Sequence, residues 1–122
     1  MRALWPIERA ALQATAKDNP AIAAAILWQA KCAFVTKFEN TGAGFFSTLE
    51  IVGDAPKLAA HSRLDGAHGK VMGVEHGMGF IVFLESGRIN LLEGYVNGVV
   101  PTKAVDFSEV GFELWPWCED EE

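Results

Sequence analysis

Apolar positions recur at helical spacing through the first quarter of the chain, and the period changes to alternation near residue 32. Pro6 suits a first helical position, and Ile7, Ala10, Ala11 and Ala14 repeat along one face, which predicts a helix over 6–17. Asp18 and Asn19 interrupt it. Asn19 followed by Pro20 supplies a cap and a preset φ for a second, alanine-rich helix over 20–30, with Ile22 and Ile26 on its apolar face.

From Cys32 onward Phe34, Thr36 and Phe38 alternate with Val35 and Lys37, the pattern of a half-buried strand. A turn cluster at 40–44 joins it to a second strand over 45–52, so 32–52 reads as a hairpin. Residues 53–69 read as loop, with a helical turn at 58–60 and a bend at Asp65–Gly66. A third strand is expected over 70–75. The nearly all-apolar run GFIVFLE at 79–85 suggests a central strand covered on both faces. Ser86–Gly87 turns the chain into a returning strand over 88–96, and a last strand falls within 105–115, broken at Gly111. Helices first and strands afterwards, with short connections, predict an α+β fold: two N-terminal helices on one face of a mostly antiparallel sheet of about six strands. One domain over 1–118 with an acidic tail over 119–122 is the expected organisation.

Charge narrows the classes. Of the net −6, the tail Glu119, Asp120, Glu121 and Glu122 supplies four negatives, which leaves −2 on the body and no basic stripe. Gripping phosphate backbones requires clustered Lys and Arg, so no nucleic-acid partner is expected. The longest apolar runs fall short of the roughly 20 residues that span a bilayer, so no membrane partner is expected either. Cys32 and Cys118 lie far apart in no CxxC pattern and read as reduced thiols, which points to the cytoplasm and leaves their pairing open.

At period two, Ile89, Leu91, Glu93 and Tyr95 share one face of the 88–96 strand, and Arg88, Asn90, Leu92 and Gly94 share the other. The first face is the more apolar, so Glu93 is expected against the interior. There a carboxylate must find donors, pair with a cation or take up a proton. It either fastens a loop by accepting N–H groups or acts as an acid or base, unless a one-residue bulge turns it outward.

His76, in HGMGF over 76–80, is a second catalytic candidate and by default a loop hydrogen-bonder. Gly77 and Gly79 permit close approach of a backbone or ligand, with Tyr95 and Phe45 as aromatic ligand contacts. Glu75, His61, His68 and Glu93 match neither HExxH nor CxxC spacing, so no metal and no cofactor are expected. No serine sits in a nucleophile-elbow pattern. Adjacent Phe45 and Phe46 must face opposite sides of a sheet. Trp115 and Trp117 form a second aromatic cluster, which reads as edge cover or as a homodimer patch.

GFF at 44–46 and HGMGFIVFLESGRINLLEGY at 76–95, with a Gly and a Pro soon after, resemble a group of small uncharacterised bacterial proteins carrying an "HGxGF, apolar strand, turn, LEGY" hairpin. That resemblance implies an α+β fold and brings no activity or site residues. The functional expectation is a non-enzymatic binding or protein-interaction module of the immunity or accessory kind. The alternative from another class is a small hydrolase or ligand-binding protein using Glu93 and His76.

Overall fold

A computed structural model describes residues 1–58 and 62–118. Helix α1 (Pro6–Asp18) is followed by a single 3-10 turn (Pro20–Ile22) and helix α2 (Ala23–Lys31). Six strands follow: β1 (Ala33–Asn40), β2 (Gly44–Ile51), β3 (Arg63–Val71), β4 (Val74–Glu85), β5 (Arg88–Val96) and β6 (Phe112–Pro116). They form one antiparallel sheet in the order β1-β2-β5-β4-β3-β6. The α+β architecture with N-terminal helices against a six-stranded sheet is therefore as the periodicity predicts.

Helix α1 turns Ile7, Ala11, Leu12, Ala14 and Thr15 inward, and its small residues let it lie close to the sheet. The contact is tight at Gly66, where a Cβ would fall 2.6 Å from the Thr15 hydroxyl. Beneath the helices lies the core face of the sheet, carrying Val35, Phe45, Leu49, Leu64, Phe80, Val82 and Leu92. Phe45 is 1 % exposed and stacks among Phe38, Phe80 and Phe107. Buried apolar surface of this extent, at roughly 25 cal/mol per Å², is the main force holding the layers together.

Two buried polar side chains fasten the connections. Gln29 donates from Nε2 to the carbonyls of Pro56 (2.7 Å) and Gly87 (2.9 Å) and accepts the Ile89 N–H (2.9 Å). Thr102 accepts the Gly44 N–H at 3.0 Å and donates to Asn40 Oδ1 at 3.0 Å, tying the long β5–β6 connection to the β1–β2 turn. The edge strand β1 is interrupted by a bulge between Val35 and Lys37 and bridged by Arg2, both of which blunt an exposed edge.

Four expectations require correction. Residues 63–69 belong to β3, and the Asp65–Gly66 bend is a bulge within it. This segment is poor in strand-forming residues but is held by hydrogen-bonded neighbours on both sides, β4 and β6. The expected strand over 70–75 contains the β3–β4 turn at Met72–Gly73. The run over 79–85 is interior to the sheet but not covered twice, since Ile81 and Phe83 on its second face are only half-buried. In the expected helical turn, Leu58 is buried and outside any helix, whereas Ala59 and Ala60 lie outside the described residues. The acidic tail at 119–122 also lies outside them.

Candidate functional site: the open face of the sheet

Pairing register shows which side chains share the face turned away from the helices. Glu39 stands opposite Phe46, Phe46 opposite Glu93, Glu93 opposite Ile81, and Ile81 opposite Asp65. A second row beside it runs Lys37, Thr48, Leu91, Phe83 and Arg63. On the other side, a third runs Tyr95, Gly79, His68 and Trp115. Phe46, Ile81, Phe83, Leu91, Tyr95 and Trp115 are all half-buried, so the middle of this face is apolar and still accessible. Its first row carries a carboxylate on every second strand.

Glu93 is on this open face, contrary to the expectation that it lies against the interior. The cause is a register shift between Phe83 and Leu84, where Phe83 pairs with Leu91 but Leu84 pairs with Ile89. Asn90 is the extra residue, and it reverses the alternation. Ile89 and Leu92 therefore both point into the core, at 1 % and 0 % exposure, while Leu91, Glu93 and Tyr95 point out.

The carboxylate that does lie inside is Glu8, fully buried in the first turn of α1. It accepts from Arg2 Nη1 and Nη2 at 2.8 and 2.9 Å, from the Trp5 backbone N–H at 2.7 Å and from the Ser47 hydroxyl at 2.5 Å. The Arg2 guanidinium lies 3.4 Å from the Trp5 ring centroid. These donors satisfy both oxygens of Glu8 and fix the N-terminal segment to β2. It is a structural tie with no free lone pair aimed at a cavity. Sequence reading missed it because an acid three residues inside a helix start is usually a solvated cap.

The two catalytic candidates are not brought together. Glu93 stands opposite Ile81, five residues along β4 from His76, which corresponds to about 16 Å of strand. His76 is exposed, sits 3.3 Å from Glu75 Oε1, and receives the Asn97 side chain on its backbone carbonyl. Direct hydrogen-bonded cooperation between the pair fails on reach.

The ligand candidates also divide. Phe45 is in the core and out of reach of a surface ligand. Tyr95 leans over Gly79, where a Cβ would fall 2.3 Å from the tyrosine oxygen, so only glycine admits the ring. Gly94 plays the same part for Phe45 on the opposite face, with a Cβ site 2.6 Å from that ring. The paired glycines and aromatics of the hairpin motif are thus a packing device across neighbouring strands. Gly77 lines a cleft of about 1140 Å³ at the β3–β4 turn, together with His76, Asn97, Met72, Phe112 and Trp115.

Tyr95 also reports on the field of the open face. Burial raises its pKa above the ordinary value, the charges of Asp65 and Glu93 raise it further, and Arg63 offsets part of this. Its hydroxyl stays protonated at neutral pH. Arg63 and Asp65 are 3.6 Å apart and both exposed.

Cys32 is half-buried, and Cys118 meets Asp18 Oδ1 through its backbone N–H at 2.8 Å and through its thiol at 2.6 Å. Among the described residues no three His, Cys, Asp or Glu side chains gather as a metal-binding group, and no helix is long and apolar enough to cross a membrane. His61 lies outside them. Comparison of the chain with family models, curated proteins and solved structures gives no match to any of the three.

Proposed function

We propose that this chain is a non-enzymatic protein-interaction module, of the immunity or accessory kind, that receives a protein partner on the open face of its sheet. One observation carries the reading: Phe46, Ile81, Phe83 and Leu91 form a half-exposed apolar cluster on three adjoining strands, with Glu93 between Phe46 and Ile81 and Glu39, Lys37, Arg63 and Asp65 at its edges. Contiguous accessible apolar surface with a polar rim is the usual mark of a contact site. The separation of Glu93 from His76 weighs against an enzyme that uses the two side chains together. Two cysteines far apart in the sequence and in no CxxC pattern suit a reducing compartment, and we place the module in the cytoplasm on that ground.

Affinity capture from the native lysate tests this, with the Phe46→Asp/Ile81→Asp variant as the comparison. A partner retained by the wild-type chain and lost by the variant supports the reading. Retention by both, or by neither, counts against it.

A further inference from the structure

The geometry points to a specific occupant for that face: a basic amphipathic helix of a partner protein, lying across the strands. This inference rests on the interaction reading above and adds the chemistry of the partner. Its basis is the row Glu39, Phe46, Glu93, Ile81, Asp65, in which acid and apolar side chains alternate from strand to strand. Neighbouring strands are about 4.8 Å apart, so successive carboxylates recur at about 10 Å, with an apolar side chain midway.

A helix rises 1.5 Å per residue, so positions seven apart are separated by about 10.5 Å and return to nearly the same face. Lys or Arg at every seventh position therefore meets Glu39, Glu93 and Asp65 in turn. Leucine-like residues three or four positions further on fall over Phe46 and Ile81. Sheet twist rotates each acid by about 45° relative to the next, which long Lys and Arg stems absorb. Asp65 is already shared with Arg63 at 3.6 Å, so it contributes least, and Glu39 and Glu93 dominate.

Tyr95, on the same face, senses the same carboxylates: burial raises its pKa first, Asp65 and Glu93 raise it further, and Arg63 offsets part of this. A second copy of this chain is a poorer fit, because apposing the same face sets its carboxylate row near this one, and like charges across an interface disfavour the pairing. Neither α1 nor α2 offers a row of bases at seven-residue spacing.

A fluorescein-labelled helical peptide of about 18 residues, with Lys at every seventh position and Leu at the intervening apolar positions, is the probe. It is compared by fluorescence anisotropy with a peptide of identical composition and helicity whose lysines are redistributed around the helix. The spaced peptide is expected to bind at least tenfold more tightly than the redistributed one. The Glu39→Gln/Glu93→Gln variant should remove about tenfold of that affinity, the usual strength of two partly exposed ion pairs. Raised salt should weaken binding to the wild-type chain.

Equal binding of the two peptides, binding unaffected by the double variant, or no binding of either overturns the inference. So does sedimentation showing a dimer disrupted by Phe46→Asp, since that assigns the face to a second copy. If the peptides fail while the lysate partner is still lost on Phe46→Asp/Ile81→Asp, the helix is wrong and the interaction reading stands. If both experiments fail, both readings fall.

Discussion

Replacing Glu8 by Ala removes the acceptor for four donors at once, and the cost can be worked from their surroundings. The Ser47 hydroxyl is fully buried and would lose its 2.5 Å partner, which costs about 1–2 kcal/mol for an unsatisfied group. The Trp5 N–H at the start of α1 loses its cap, worth about 1 kcal/mol. Arg2 keeps 28 % side-chain exposure and can rehydrate, so losing its pair adds only about 1 kcal/mol rather than the full penalty of a buried unpaired charge. Glu8→Ala should therefore destabilise the fold by about 3 kcal/mol, and Glu8→Gln by less, because one oxygen can still accept the Trp5 N–H. Urea unfolding followed by tryptophan fluorescence measures this. With a slope of about 1.5 kcal/mol per molar urea, the Ala midpoint should fall by about 2 M. A loss under about 1 kcal/mol, or identical losses for Ala and Gln, would refute the assignment of Glu8 as a fully satisfied structural tie.

Two further outcomes follow from the same packing and field. Tyr95 is the only tyrosine, so tyrosinate absorbance titrates it alone; its midpoint should lie above 10.0 and move down in Asp65→Asn. Because the folded pKa is raised, the stability gained from neutral Tyr95 is complete below the unfolded pKa and is lost as pH rises through the folded value. Gly79→Val should cost about 2 kcal/mol by forcing Tyr95 off the neighbouring strand, and much less in a Tyr95→Ala background, as a double-mutant cycle on urea midpoints would record.

The sequence disclosed the elements whose signals are local. Pro6, the 40–44 turn and Ser86–Gly87 each act through the backbone of their own neighbourhood, and α1, β1, β2 and β5 appear where those residues place them; Asn19 instead donates back to the Thr15 carbonyl, and Pro20 opens a single 3-10 turn before α2. Strand β3 was illegible because Asp65, Gly66, Gly69 and Lys70 have little strand preference of their own; pairing to β4 and β6 imposes the conformation.

The facing of Glu93 turned on one inserted residue. The adjacent pair Leu91–Leu92 gives no signal about which leucine faces inward, so a strict two-residue period carried the whole far half of β5 to the wrong side. The bulge at Asn90 is a property of the pairing with β4, visible only once both strands are in register. Glu8 was hidden for a similar reason, since its decisive partner Ser47 is 39 residues away on β2. The rows of the open face likewise join residues from all six strands, so no window of sequence contains them.

The most direct test maps contacts on the folded chain: amide chemical-shift changes in a nitrogen-15 correlation spectrum during titration with the spaced basic peptide. The account predicts that the shifts cluster at Phe46, Glu93, Ile81 and their cross-strand neighbours while α1 and α2 stay silent. Shifts confined to the helices, or to the cleft around Met72 and His76, would contradict it.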